Sequence, residues 1–433
     1  MQHPLCTYEF IDAMIASAAR IFRSRTIHIG CDEAWNLGLG NYFWNNGLRP
    51  KAEILREHLE RVMAIVRKYN FTPMMWSDMF FRAESPSVKE EYHIPPGGHF
   101  SEATKQSVPQ DTQLVYWEYI RDNESIRQRL NLHLELTDNL AVAGHIRLNR
   151  SVGANYSLTF RAAADLLPTC KAHGIRHVIA TVWGDNGPES HLYGALLGMQ
   201  LYAEYQYRGT VDGQAVYAAF QRCVHAEPND FAALRSFDEI PAVHGEAGNE
   251  QAHNPSRWLL WQDPLLGLFD WNVKDLDLEV HYQDLAVRMN GAAERNAAFQ
   301  RLFEYYSLAA QALATKALLG VRLYEAYQEG DKRALSDLAY SRIAEARQAI
   351  AKLYRAHYEL WQETYMDEGW EIFDIRYGGL LARLDTVQDR LIAFLDGENP
   401  AIPELERTRL PYNGKEGLML ETQYTRMVSA SNL

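Results

Sequence analysis

Two adjacent carboxylates, Asp32 and Glu33, follow an apolar segment in the stretch HIGCDEAWNLGLG, residues 28–40. Placing two charges where a strand ends costs desolvation and mutual repulsion unless something uses them. One carboxyl, kept protonated, could give a proton to a leaving oxygen, and the other, kept ionised, could stabilise a positive charge developing beside it. The pair therefore predicts acid–base chemistry. The alternative is an aspartate that caps the following helix beside a solvent-facing glutamate.

Aromatic residues near the ends of other predicted strands favour the first interpretation. Each of three tryptophans has a carboxylate beside it, and the pairs are Trp76 with Asp78, Trp117 with Glu118, and Trp183 with Asp185. A sugar stacks its C–H face on an aromatic ring and donates its hydroxyls to carboxylates. The pattern therefore predicts a carbohydrate site.

The elements that must position these residues alternate between strand and helix up to about residue 210. Short apolar runs predict strands at 26–30, 71–78, 113–119, 139–146 and 177–183, and helical spacing predicts helices at 8–22, 52–69, 123–132, 158–172 and 189–204. Strands separated by helices are typical of a parallel sheet. Because no glycine-rich phosphate loop follows the first strand, a barrel is favoured over a doubly wound sheet.

The predicted fold is α/β, a partial (β/α)8 TIM-type barrel with about five of eight strands, followed by a mostly helical C-terminal region. The predicted domains are the C-terminal portion of the barrel at 1–210, a connecting segment at 211–272 and a helical domain at 273–433. Within them, HGEAGNEQAHN (244–254) is predicted to be a loop. The glycine pair in FDIRYGGL (373–380) is predicted to break the helices there.

Composition narrows the class of protein. The formal net charge of −13 and the lack of any basic run argue against a nucleic-acid partner. No apolar stretch approaches the roughly 20 residues needed to span a membrane. The four cysteines show no CxxC spacing, and no signal peptide is visible, so a cytoplasmic protein with free thiols is expected. No metal-ligand spacing is present, and no cofactor is predicted.

Several segments resemble glycoside hydrolase family 20, the β-N-acetylhexosaminidases, in the family's order along essentially the whole chain. HIGCDEAWNLGLGNY is similar to the family's H-x-G-x-D-E motif, and the similarity is greatest to the bacterial exo-β-N-acetylglucosaminidase branch. The other similar segments are MMWSDMFF (74–81), LVYWEYI (114–120), TVWGDNGPE (181–189), NPSRWLLWQDPLLGLFD (254–270) and DIRYGGLL (374–381).

The resemblance implies an exo-acting enzyme that removes terminal β-linked N-acetylglucosamine or N-acetylgalactosamine with retention, an exception to the two-carboxylate scheme. The substrate's own acetamido oxygen attacks the anomeric carbon, giving an oxazolinium-like intermediate. Glu33 would be the general acid and then the base, and Asp32 would hold the acetamido N–H. The substrate is expected to be an oligosaccharide or glycoconjugate containing N-acetylhexosamine.

The resemblance also implies binding roles for Trp183, Asp185, Trp76 and Tyr119. Trp183 would lie under the terminal sugar, Asp185 would bind its outer hydroxyls, and Trp76 would wall the acetamido pocket. Tyr119 would donate a hydrogen bond to the acetamido carbonyl. Trp117 is expected to contribute to the aromatic site, and Glu189 is either a further hydroxyl ligand or an acidic residue favoured at a helix N-terminus. His28 is expected to be a buried strand residue that supports the motif.

The chain departs from the family in two places. The resemblance implies three barrel strands before the acidic pair, with an arginine that grips the sugar in relatives, and by the strand count we expect this part to be absent from the chain. After strand 139–144 the family usually supplies a tryptophan, and here AGHIRLNRSVGANY places His145 and Arg147. The open barrel edges would favour self-association. One alternative function is therefore an inactive or partner-dependent sugar-binding remnant, and another is a helical interaction protein built on residues 273–400.

Overall fold

The computed structural model describes residues 4–84, 92, 94, 98–185, 187, 189–241, 255–414, 416 and 427–428. The chain divides into two compact units, and each is continuous in space although neither is continuous in sequence. The first comprises Met1–His145 and Ala162–Thr181, and the second comprises Ile146–Arg161 and Val182–Leu433. The three-part division at 210 and 272 stays a prediction, and the predicted loop at 244–254 lies outside the described residues.

A five-stranded parallel sheet forms the centre of the first unit, with the strands in the order 1-2-3-4-5. The strands are β1 (Thr26–His28), β2 (Thr72–Trp76), β3 (Gln113–Trp117), β4 (Leu140–His145) and β5 (His177–Thr181). Each lies within a strand predicted from the sequence. The partial (β/α) barrel and the helical C-terminal region are therefore confirmed. The outer strands of this sheet are β1 and β5. Self-association through their open edges stays a prediction.

Helices connect the strands, as a parallel sheet requires. They are α1 (Pro4–Ile21), α2 (Asn41–Asn46), α3 (Lys51–Lys68), α4 (Asp78–Glu84), α5 (Glu102–Ser107), α6 (Asn123–Leu134) and α7 (Tyr156–Ala172). In α3, Leu55, Leu59 and Met63 recur at helical spacing and are buried. The residue before α6, Asp122, accepts the Ser125 N–H at 2.8 Å and caps that helix.

The two faces of the sheet carry separate apolar clusters because strand side chains alternate. One face places Met75, Leu114, Tyr116 and Val142 in a cluster with three buried side chains of α3 and two of α6. The other face places Met74, Val115, Ala141 and Ala143 together, and Trp76, Trp117 and Ile179 pack against them. Two of the candidate aromatic residues, Trp76 and Trp117, thus pack on the second cluster.

The second unit is helical. Its helices are α8 (Leu196–Arg208), α9 (Gly213–Val224), α10 (Pro228–Ala232), α11 (Pro255–Trp261), α12 (Asp270–Val273), α13 (Leu278–Arg295), α14 (Gln300–Lys316), α15 (Leu319–Gln328), α16 (Lys332–Asp337), α17 (Ile343–Thr364) and α18 (Trp370–Leu395). Short 3-10 turns lie at Leu192–Ala195, Ala233–Phe237, Ala297–Phe299 and Tyr412–Gly414, and a π-helical turn at Leu338–Arg342 joins α16 to α17. Within the described part of the chain, no helix has the length and apolarity to cross a membrane.

The predicted helix break at residues 373–380 is wrong, because α18 runs through it without interruption. Gly378 is on the exposed side of the helix, and Phe373, Tyr377 and Leu380 are buried around it. A glycine in a helix costs about 1 kcal/mol relative to alanine. Burying three large apolar side chains is worth several times that, at roughly 1.5–3 kcal/mol each. Packing therefore overrides the local preference of the glycine pair.

Candidate functional site

The backbone leaves the extended conformation directly after β1. The strand ladder continues to Gly30, whose carbonyl accepts the Trp76 N–H at 3.1 Å. Gly30, Cys31 and Glu33 then have positive φ values of 73°, 67° and 49°. The left-handed conformation costs a non-glycine residue about 1–2 kcal/mol. Strain of this kind is concentrated at functional sites, so the turn that carries the acidic pair is a candidate for one.

Both members of the acidic pair are exposed. The Asp32 carboxylate lies back over Gly30, with Oδ1 3.6 Å from the point where a Cβ on that glycine would stand. The next helix, α2, begins at Asn41 after Gly40, so Asp32 does not cap it. The alternative of a simple capping aspartate is therefore not what the structure shows. Two accessible carboxylates are left at the end of β1.

The first turn of α4 holds this segment through Asp78, which is fully buried. Its Oδ2 accepts the backbone N–H of Glu33 at 2.9 Å and lies 3.7 Å from Nε of Arg82. The pKa of Asp78 is raised to about 6, mainly by burial and to a smaller extent by the charge of Asp32, while the Glu33 N–H and Arg82 act to lower it. The sequence pattern groups Asp78 with carboxylates that suit sugar hydroxyls. In the structure, Asp78 instead accepts the backbone N–H of Glu33.

His28 is the last residue of β1, and its predicted burial is wrong, because it is exposed. Its ring lies against the ring of Trp76, with centroids 4.5 Å apart, and its Nδ1 accepts the Gly30 N–H at 3.1 Å. Partial desolvation lowers the pKa of His28, and the charge of Asp32 opposes this. A neutral ring that accepts at Nδ1 carries its proton on Nε2. His28 therefore links the turn to β2.

Three of the predicted aromatic residues, Trp76, Trp117 and Tyr119, are half-buried in the first unit. Trp76 and Trp117 pack on the same apolar cluster of the sheet. Tyr119 stacks on Trp117, with centroids 5.3 Å apart and planes at 20°, and the ring of His145 meets Tyr119 edge to face at 4.6 Å. His145 ends β4 and is buried. His145 begins the segment in which the resemblance leads us to expect a tryptophan, and it packs against Tyr119, the predicted acetamide donor.

Glu118 is buried and fixes the turn after β3. Its Oε1 accepts the backbone N–H groups of Tyr119, Ile120 and Arg121 at 3.0, 3.2 and 3.1 Å. Its Oε2 accepts the hydroxyl of Tyr116. The carboxylate is therefore occupied by protein donors, and it holds Tyr119 in place instead of facing a substrate.

The remaining predicted residues belong to the second unit. Trp183 is half-buried and lines a cavity of about 370 Å³ together with Trp361, Tyr365 and Phe373. Asp185 is exposed.

The sequence gives no sign of two polar neighbours of Asp185. Asn149 Nδ2 and Arg150 Nη2 lie 3.4 and 3.5 Å from Asp185 Oδ2. Both follow β4 in the segment that lacks the family's tryptophan, and Arg150 has a positive φ of 65°. A non-glycine residue in this conformation is uncommon, but the sequence alone does not reveal it.

Glu189 is buried in an ion-pair cluster. Its carboxylate pairs with Arg257 at 2.5 Å and with Arg376 at 2.8 Å, and Trp261 Nε1–H donates to it at 2.8 Å. Both guanidinium groups also donate to the carbonyl of Gly187, at 3.1 and 2.6 Å. These contacts join the loop after Trp183 to α11 and α18. Sequence reasoning could not link Glu189 to either arginine.

Over the ranges that the structure describes, no cluster of three or more His, Cys, Asp or Glu side chains could hold a metal ion.

Comparisons with known proteins give two matches to family models. Residues 3–134 match the glycosyl hydrolase family 20 catalytic domain, and residues 229–423 match the glycoside hydrolase 20C C-terminal domain. No curated protein matches.

Among solved structures, 22 chains match. A mutant of the Thermobaculum terrenum O-GlcNAc hydrolase is 13% identical with a TM-score of 0.41, and the match covers 91% of this chain and 79% of that one. A GH138 enzyme targeting pectin rhamnogalacturonan II is 9% identical with a TM-score of 0.35, covering 90% and 79%. The two family models, which match segments on either side of residues 135–228, show that the chain belongs to glycoside hydrolase family 20.

Proposed function

We propose that the chain is an exo-acting β-N-acetylhexosaminidase that removes terminal, non-reducing β-linked N-acetylglucosamine or N-acetylgalactosamine. The observation that carries the proposal is the exposed Asp32–Glu33 pair on the strained turn after β1. This turn lies inside the segment that matches the family's catalytic-domain model. The substrate is an oligosaccharide or glycoconjugate that ends in N-acetylhexosamine.

The proposed mechanism is retaining and uses the substrate's own acetamido group. The acetamido oxygen forms a bond to the anomeric carbon as the glycosidic bond breaks, and Glu33 protonates the leaving oxygen. Asp32 accepts the acetamido N–H and stabilises the positive charge of the oxazolinium intermediate. Glu33 then takes a proton from the water that attacks the anomeric carbon and reopens the ring. The exposure of both carboxylates in the free chain supports these roles, because a substrate can reach them.

The other candidate residues are proposed to bind the sugar. Trp76 and Trp117 offer half-buried ring faces on one side of the sheet. Tyr119, held by the Glu118 turn, is proposed to donate to the acetamido carbonyl. Trp183 is proposed to stack on the terminal sugar, and Asp185 to bind its outer hydroxyls.

Glu189 is proposed to position the Trp183–Asp185 loop and not to bind the sugar, because its carboxylate is already occupied by two arginines and Trp261.

The test is hydrolysis of 4-nitrophenyl N-acetyl-β-glucosaminide by the purified chain and by Glu33→Gln. We expect release of nitrophenol by the wild-type chain and at least a 100-fold lower kcat in Glu33→Gln, because general acid–base catalysis typically contributes 10²–10⁴-fold. Glu102→Gln, an exposed glutamate on α5, is the matched control and should keep full activity. Absence of turnover in a folded wild-type chain, or normal turnover in Glu33→Gln, would contradict the proposal. Proton NMR of the first product should show the β-anomer.

A further inference from the structure

The conformation of Glu33 is imposed by a group outside the acidic pair. Glu33 has a φ of 49°, which a glutamate rarely adopts. Its N–H points to the fully buried carboxylate of Asp78, at 2.9 Å. A hydrogen bond from a backbone N–H to an ionised carboxylate is stronger than a neutral one, and burial excludes competing water. The bond therefore holds Glu33 in a backbone state that it would otherwise leave.

A second contact from the same helix holds the residues that follow Glu33. Arg82, one turn after Asp78 on α4, is also buried, and its guanidinium carbon lies 3.1 Å from the centroid of the Trp35 ring. Trp35 in turn donates its backbone N–H to the Glu33 carbonyl at 2.7 Å. Residues four apart on a helix lie on the same face. One rigid element thus contacts the segment 33–35 at its first and last residues.

We propose that Asp78 and Arg82 form a clamp that positions Glu33 for proton transfer, with Asp78 as the main positioning residue. The proposal rests on the function proposed above for Glu33. Proton transfer in catalysis requires the acid within hydrogen-bond reach of the oxygen, and a misplacement of about 1 Å can cost 10²-fold in rate. A side chain on a turn with three positive φ values has many alternative directions. The clamp leaves it one backbone state.

Charged and polar groups face the buried carboxyl of Asp78. The groups that face it are the charge of Asp32 and the Cys31 thiol from the turn after β1, Arg82 from its own helix, and the Tyr92 hydroxyl. Its pKa, raised by burial to about 6, means that it is mostly ionised at pH 7 and mostly protonated at pH 5. The bond to the Glu33 N–H is charge-assisted in the ionised state and weaker in the protonated one.

The test compares Asp78→Ala and Asp78→Asn in the full chain. Asp78→Ala removes the acceptor, so kcat for the nitrophenyl glycoside should fall at least 10-fold with KM changed less than threefold. Asp78→Asn keeps an acceptor oxygen and should recover part of the lost kcat at pH 7. Because the asparagine has no charge to lose, its activity should fall less between pH 7 and 5 than that of the wild-type chain.

Asp122→Ala is the matched control, since Asp122 also holds a backbone N–H after a strand but is exposed at the cap of α6. It should leave kcat within twofold of the wild-type value. Equal loss of kcat in Asp122→Ala and Asp78→Ala, or unchanged kcat in Asp78→Ala, would overturn the proposal.

Amide hydrogen exchange of a peptide spanning residues 30–40 gives a readout that needs no activity. Exchange at Glu33 should be at least 10-fold faster in Asp78→Ala than in the wild-type chain, and unchanged exchange would overturn the clamp. If the wild-type chain does not hydrolyse the glycoside, the proposed function fails, while the exchange experiment still decides on the clamp. If Asp78→Ala does not fold, the same comparison is made with Asp78→Asn, whose exchange should also be faster.

Discussion

The ion-pair cluster around Glu189 should be essential for the stability of the second unit. Glu189 has 1% of its side chain exposed, Arg257 0% and Arg376 5%, so all three charges are out of water. Glu189→Gln keeps the shape of the side chain and removes the negative charge. Two buried guanidinium groups would then face a neutral amide oxygen in place of the carboxylate, and the new amide N–H₂ would face donors instead of acceptors.

The expected loss in the free energy of unfolding depends on which contacts the two arginines keep after the substitution. Removing one partner of a buried ion pair typically costs 3–5 kcal/mol, because the other charge is left uncompensated. The Gly187 carbonyl still accepts from both arginines in the variant. We therefore expect the lower end of the range, about 3 kcal/mol of the free energy of unfolding.

The assay is urea denaturation at pH 7 followed by tryptophan fluorescence. Glu363→Gln is the matched control, because Glu363 pairs with Arg301 at 2.6 Å but the two side chains are 46% and 59% exposed. An exposed pair is worth at most about 1 kcal/mol. A loss below about 1 kcal/mol in Glu189→Gln would refute the assignment of a buried, mutually dependent cluster. Lost glycoside affinity at full stability would favour the hydroxyl-ligand role instead.

Two further substitutions test the helical region. Gly378→Ala should stabilise the chain by up to about 1 kcal/mol, because Gly378 is mid-helix and, apart from the adjacent helix backbone, no heavy atom lies within 4 Å of the position that the alanine methyl would take; a fall in Tm would contradict this. Burial raises the pKa of Asp238 from 3.8 to about 7, so its contribution to stability is present in acid and is lost as the pH rises through 7. The wild-type chain should therefore lose about 2–3 kcal/mol more than Asp238→Asn between pH 5 and 8, and parallel Tm curves would count against it.

The sheet could be predicted from the sequence because its strands are short apolar runs bounded by polar or breaking residues. All five lie where the apolar runs predict them, and the helix predicted at 52–69 is observed at Lys51–Lys68. The helix break predicted at Gly378 is wrong, because burial of the neighbouring side chains outweighs the local preference of glycine. A glycine pair disfavours a helix, but nothing in eight residues of sequence shows that Phe373 and Tyr377 will be buried.

The contacts of the candidate site could be predicted only in part. The sequence identifies Asp32 and Glu33, since their motif is local. It cannot pair Glu189 with Arg376, because 187 residues separate them and no periodicity links them. The sequence also cannot show that Asp78 accepts the backbone N–H of Glu33, 45 residues away. An aspartate that follows a tryptophan gives the same sequence pattern whether it binds a sugar hydroxyl or a backbone N–H.

The acidic residues that follow the strands differ in their burial, which decides what each can do. Asp78, Glu118 and Glu189 are buried, and each accepts hydrogen bonds from protein donors. A buried carboxylate requires such donors because losing its hydration costs several kcal/mol. Because protein donors occupy its oxygens, such a carboxylate can accept few further hydrogen bonds from a substrate.

Asp32 and Glu33, on the turn after β1, are exposed, as is Asp185 after β5. For the function proposed above, that exposure is useful, since water is lost only when a sugar covers the pair. Two adjacent carboxylates without water repel each other, and repulsion favours protonating one of them. A protonated carboxyl beside an ionised one is the state that a general acid and its charge-stabilising partner require. The clamp on the Glu33 backbone, and not the pair itself, then determines which of the two faces the leaving oxygen.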